Sequence, residues 1–90
     1  MTNTTFWTAK FTAAFKKGYG RLNEETKRRV ETAIEKLLTS DNPTKEGHML
    51  HGIWKGCYSY KVGLKYRLIY RVKPENKEIE LLAVGTHKIY

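Results

Sequence analysis

The hydrophobic period changes once along this chain, and that change decides what the chain can fold into. Val30, Ala33, Ile34, Leu37 and Leu38 recur at i, i+3, i+4, i+7 and i+8, the stripe of an amphipathic helix. Beyond residue 56 apolar and polar residues alternate instead, through Cys57–Val62, Tyr66–Lys73 and Glu78–Val84, which is the pattern of half-buried strands. Helices first and strands after predict an α+β domain. Two N-terminal helices should pack on one face of a small, mainly antiparallel twisted sheet.

Local signals mark the element ends. Asn23 is a good helix N-cap, and Glu24 and Glu25 follow in the first turn, where the helix dipole favours acids. Ser40-Asp41-Asn42-Pro43 stops the helix. Upstream, residues 5–11 read as a short first strand. Residues 8–18 read as a short helix with Phe11, Ala14 and Phe15 on one face, and Gly18 and Gly20 punctuate its end. Residues 44–56 are polar and glycine-punctuated, and they read as loop. The expected order is β-α-α-β-β-β over residues 1–90, as one domain, since ninety residues are too few for two.

Strand parity places the chemistry. If Gly63-Leu64-Lys65 is a three-residue hairpin loop, Val62 opposes Tyr66 and Lys61 opposes Arg67. Tyr58, Tyr60 and Val62 then share the helix-covered face with Tyr66, Leu68, Tyr70 and Val72. The far face receives Cys57, Ser59, Lys61, Arg67, Ile69 and Arg71. With Pro74-Glu75-Asn76-Lys77 as a four-residue turn, Val72 pairs with Ile79, and Arg71 with Glu80, which is positioned to neutralise it. Val84 falls across from Arg67. Like charges directly opposite one another cost a sheet roughly 0.2–1 kcal/mol. Lys61 and Arg67 therefore read as a clamp for an anion, such as phosphate.

The charge balance points the same way. Seventeen Lys and Arg against nine Asp and Glu leave +8 at pH 7, a field that attracts polyanions such as nucleic acid or an acidic protein. No apolar run approaches the ~18 residues of a membrane span. The stretch before the first strand has no signal-peptide pattern, and one cysteine, Cys57, suits a reducing cytoplasm. No metal site or cofactor is expected. His48 and His51 stand three apart without a Cys, Asp or Glu at ligand spacing.

RNA cleavage needs little beyond this face. A 2′-hydroxyl attacks the adjacent phosphate, a base takes its proton, an acid protonates the departing oxygen, and cations hold the added charge. Lys61 and Arg67 supply charge, and His87 and His48 are the candidates for proton transfer, the usual work of an imidazole. Tyr90 suits base stacking or a hydrogen bond to phosphate.

Leu50-His51-Gly52-Ile53-Trp54-Lys55-Gly56, Tyr58, Val62-Gly63, Tyr66-Arg67-Leu68-Ile69-Tyr70, Ala83-Val84-Gly85 and Tyr90 together resemble the C-terminal half of RelE/ParE-type toxins. The specific likeness covers about residues 48–90. His48-Met49-Leu50, Trp54-Lys55-Gly56 and Gly85-Thr86-His87 are most similar to the histidine-using YafQ branch, and Tyr66-Arg67-Leu68 to RelE. The resemblance implies a toxin held by an acidic antitoxin that cuts mRNA on the ribosome without metal. It implies that Arg67 contacts the scissile phosphate. Lys61 matches a catalytic lysine of RelE and a histidine of YafQ, His87 and His48 match YafQ histidines, and Tyr90 matches a terminal aromatic. Ser59 stands where RelE has a further lysine, and Lys65 where YafQ has an acid, so those two roles do not transfer. Lys55, Lys65, Arg71 and Lys88 are expected to touch RNA. The rival implied by the same superfamily is a ParE-like protein that inhibits DNA gyrase, and a third reading is an RNA-binding domain without turnover.

Overall fold

A computed structural model describes residues 6–89, with His87 followed by its backbone alone. Strand β1 (Thr8–Phe11) leads into helix α1 (Ala13–Gly20) and helix α2 (Glu24–Leu38). Strands β2 (His48–Met49), β3 (Tyr58–Val62), β4 (Tyr66–Lys73) and β5 (Glu78–Thr86) follow, and a 3-10 turn, His87–Ile89, closes the described chain. The sheet has the order β1-β5-β4-β3-β2. β1 lies parallel to β5 and every other neighbour is antiparallel. The expected α+β architecture holds, with one strand more than the alternation announced.

α2 forms where its stripe and caps agree. The Asn23 side chain accepts from Thr26 N–H at 2.8 Å, and Val30, Ala33, Ile34 and Leu37 are buried on one face. They meet Phe15 of α1 and Val62, Leu68, Tyr70, Ile79, Leu81 and Val84 of the sheet. Tyr58, Tyr60, Tyr66 and Val72 pack around that core, so the expected helix-covered face is correct. Tyr70, fully buried, donates its hydroxyl to the Pro43 carbonyl at 2.7 Å. That contact anchors the loop after α2, and burial pushes its phenol above the ordinary range, with the Glu46 charge adding to the effect.

The reading of residues 8–18 needs correction. Thr8–Phe11 is strand, and the helix begins only at Ala13 and continues through Gly18 to Gly20. Phe11 consequently lies 43% exposed on the strand and Ala14 faces solvent. Thr12 makes the switch. Its hydroxyl accepts from Phe15 N–H at 3.1 Å, capping α1, and donates to the Leu82 carbonyl at 2.8 Å. The loop 44–56 is also less irregular than expected, since His48 and Met49 pair with Ser59 and Tyr58 as an edge strand. Cys57 falls just outside β3, and β5 runs two residues past Val84.

The bond from Thr12 to Leu82 sits at a β-bulge. Ile69 pairs with Ala83 but Tyr70 pairs with Leu81, leaving Leu82 as the extra residue. Val84 is thereby turned into the core opposite Leu68, and Gly85, not Val84, stands across from Arg67. α1 presses close at this point: a Cβ on Gly18 would overlap the Val84 carbonyl oxygen.

Candidate functional site

The far face of the sheet carries two parallel rows of residues. His48, Ser59, Ile69 and Ala83 form one row across β2, β3, β4 and β5, and Lys61, Arg67 and Gly85 form the next. Lys61 and Arg67 are direct partners, as the three-residue hairpin loop required. Gly63 supports that loop with a positive φ of 65°. His48 sits diagonally from Lys61, about 7–8 Å away by sheet geometry. Both His48 and Lys61 are exposed, and Arg67 is half-buried, its Nη1 donating to the Tyr66 carbonyl at 3.2 Å.

Charge is divided along this face. Glu78 and Glu80 lie toward the β1 end, and each meets a lysine, Lys10 at 3.8 Å and Lys73 at 3.7 Å. Among the described residues neither Lys61 nor Arg67 has a carboxylate within ion-pair distance. Two opposed cations without a counter-charge raise the local potential for an anion. The expected Arg71–Glu80 neutralisation is not made, although their backbones are paired. Glu80 reaches Lys73 instead, and Arg71 Nη2 lies 3.8 Å from the sulfur of the buried Cys57. Among the described residues Arg71 thus has no carboxylate within ion-pair distance.

The other expected RNA contacts are dispersed. Lys55 is exposed just past a 3-10 turn, Gly52–Trp54. Lys65 is at the hairpin tip beside Asn23 and Arg29 at the start of α2, away from the row of Lys61 and Arg67. Lys88 is exposed in the terminal turn, its N–H donating to Thr86 Oγ1 at 3.4 Å. The backbone of His87 opens that turn, two residues beyond Gly85. Tyr90 lies outside the described residues.

The basic face of α2 has a neighbour in the sheet. β2 covers β3 only at Tyr58 and Ser59, so the edge from Tyr60 to Val62 faces α2. A groove of about 470 Å³ runs between them, lined by Arg28, Arg29, Lys36 and Lys61, with Glu25 as its acid. Glu25 is held by Arg29 at 3.1 Å. Lys61 therefore joins the far face to a second cationic surface. The spacing of Arg28, Arg29 and Lys36 away from the helix stripe was the available signal. A larger hollow, about 810 Å³, lies on the helical side along Phe11, Phe15, Tyr19, Ile34 and Leu38, and none of the expected site residues lines it.

Comparison with solved structures finds the same fold. The chain superposes on the intact E. coli RelBE toxin–antitoxin complex with a TM-score of 0.74 at 22% identity, covering 89% of this chain and 95% of that one. The archaeal RelE–RelB complex of Pyrococcus horikoshii gives 0.72 at 23% identity, over 90% and 94%. The YoeB–YefM complex of Staphylococcus aureus gives 0.72 at 18% identity, over 90% and 97%. At these identities the likeness is one of fold. No curated protein matches the sequence. The family described as the ParE toxin of the type II toxin–antitoxin system, parDE, matches residues 6–89. The chain belongs to this ParE toxin family, and so to the RelE/ParE superfamily of type II toxin–antitoxin toxins.

Proposed function

We propose that this toxin is an endoribonuclease that cuts mRNA on the translating ribosome. The observation behind the reading is the directly opposed Lys61 and Arg67 pair, which has no carboxylate among the described residues to neutralise it. In the proposed reaction the 2′-oxygen bonds to the adjacent phosphorus and the bond to the 5′-oxygen breaks. The products are a 2′,3′-cyclic phosphate and a free 5′-hydroxyl. Lys61 and Arg67 stabilise the charge that builds on the equatorial oxygens. His48 and His87 exchange protons with the attacking and leaving oxygens, and Tyr90 stacks on a base or bonds the phosphate. The histidine usage follows the resemblance to the YafQ branch.

The groove of Arg28, Arg29 and Lys36 opens on Lys61 and suits the phosphates of a strand running away from the cut. Lys55, Lys65, Arg71 and Lys88, dispersed outside that groove, serve as further phosphate contacts. An acidic antitoxin is the natural restraint on such a surface. The structurally similar toxins described above are solved in complex with RelB or YefM partners. The parDE family match also favours a second reading, inhibition of DNA gyrase without cleavage, and the cation pair, uncompensated among the described residues, weighs against it.

Single-turnover cleavage of mRNA on programmed ribosomes tests the proposal. Arg67→Ala and His87→Ala should each lower the rate about 10²–10³-fold, the usual size for one charge-stabilising or proton-transfer group. Arg67 lies outside the helix-packed core, so melting of Arg67→Ala should change little. Full activity in both variants would remove the assigned site, and gyrase inhibition without cleavage by the wild type would establish the rival.

A further inference from the structure

Gly85 does not need glycine's conformational freedom, because its φ is not among the positive ones at Gly52, Gly56 and Gly63. What it needs is clearance. As the direct partner of Arg67, it points its missing side chain onto the face that holds Arg67 and Lys61. A Cβ there would overlap the Cγ2 of Ile89. Ile89, half-buried, fills the volume that Gly85 leaves empty.

This contact fixes the path of the chain. A strand continuing past Gly85 at about 3.3 Å per residue would carry Ile89 roughly 13 Å away. Instead the 3-10 turn His87–Ile89 folds the chain back, with Lys88 N–H bonded to Thr86 Oγ1. The His87 backbone is thus held between two points, strand β5 at Gly85 and the Ile89 side chain resting upon it. Both points lie beside Arg67.

We infer that Ile89 is a positioning residue. Seated in the notch of Gly85, it holds the turn that bears His87 against the Lys61/Arg67 pair. The inference rests on the ribonuclease reading above and adds to it the device that sets the histidine's distance from the cations. A shift of about 1 Å in a reacting group can cost on the order of 10²-fold in rate, so the seat matters even though Ile89 touches no substrate.

The test is a set of single-turnover rates on programmed ribosomes for the wild type, Gly85→Ala, Ile89→Ala, Ile89→Val, His87→Ala and the Gly85→Ala/His87→Ala double variant. Gly85→Ala and Ile89→Ala should lower kcat about 10–100-fold and leave KM within about two-fold, because binding belongs to other cations. Ile89→Val should retain most of the rate. Adding Gly85→Ala to His87→Ala should cost nothing further, since the positioned group is already gone. Multiplying losses in the double variant, or a raised KM with unchanged kcat, would overturn the inference. Should Gly85→Ala fail to fold, Ile89→Ala, which introduces no overlap, decides in its place. An isotope-labelled Ile89 methyl with no nuclear Overhauser contact to the Gly85 α-protons would also overturn it. A wild type that cuts no RNA removes the ribonuclease reading itself, whereas a cutting wild type whose Gly85→Ala variant keeps full rate removes only the role of Ile89.

Discussion

Replacing Lys61 by glutamate should make the protein more stable and less active at once. In the wild type Lys61 and Arg67 are direct cross-strand partners without a counter-charge among the described residues. Such a like-charge pair costs roughly 0.2–1 kcal/mol and an opposite pair returns a similar amount, so Lys61→Glu spans about 0.4–2 kcal/mol. Lys61 is exposed, and solvent screening holds exposed pairs to the lower part of that range, about 0.4–1 kcal/mol. Arg28, Arg29 and Lys36 in the adjoining groove act in the same direction on the new carboxylate. For a domain of this size 1 kcal/mol moves the melting temperature by about 4–8 °C, so a rise of about 2–8 °C is expected at low salt. It should shrink in 1 M salt, where the screening length is about 3 Å. Lys61→Gln, which removes repulsion without adding attraction, should fall about midway. Cleavage should fall at least about 10²-fold in Lys61→Glu, because the charge is lost and Arg67 is neutralised. Thermal melts at two salt concentrations beside single-turnover cleavage measure both halves. A lower melting temperature at low salt, or wild-type cleavage, would refute the reasoning.

Two further outcomes follow from the same contacts. RNA or ribosome affinity should fall steeply with salt, and each of Arg28→Ala and Lys36→Ala should flatten the log–log slope by about 0.7 per phosphate contact on a single strand. An unchanged slope would leave the groove outside the interface. Tyr70→Phe leaves the Pro43 carbonyl buried without its donor, a loss of about 1–3 kcal/mol. Because burial raises the folded phenol above its ordinary 10.0, the protonated hydroxyl contributes stability fully below pH 10.0. That contribution is lost as pH climbs through the folded value. Urea melts across the alkaline range should therefore decline more gently in Tyr70→Phe than in the wild type, and identical slopes would count against the assignment.

The parts of this molecule that were legible in its sequence are those where several local rules agree. α2 has a cap at Asn23, acids in its first turn and an apolar stripe, and all three agree on one helix. The Lys61/Arg67 pairing followed from a three-residue hairpin loop, because a two-residue loop would have mixed the two faces. Where the rules conflict the reading failed. Phe11 and Phe15 fit a helical face, yet Phe11 ends β1 and only Phe15 reaches the core, because Thr12 caps the helix between them. Leu81-Leu82-Ala83-Val84 is an unbroken apolar run, so no alternation marks the bulge at Leu82 that brings Gly85 across from Arg67. Backbone register placed Glu80 beside Arg71, but long side chains choose among several partners, and Glu80 reaches Lys73. The packing of Ile89 on Gly85 depends on a reversal of the chain that periodicity cannot register.

The most direct test of the central claim uses mRNA carrying a single 2′-deoxy nucleotide on the 5′ side of the scissile phosphate, in a single turnover on programmed ribosomes. If the phosphate held by Lys61 and Arg67 is attacked by its own neighbouring 2′-oxygen, cleavage stops at the substituted position. The all-ribose control is then cut to a 2′,3′-cyclic phosphate and a 5′-hydroxyl. Cleavage of the deoxy-substituted message at the unaltered rate, or a 5′-phosphate on the product, would contradict the account.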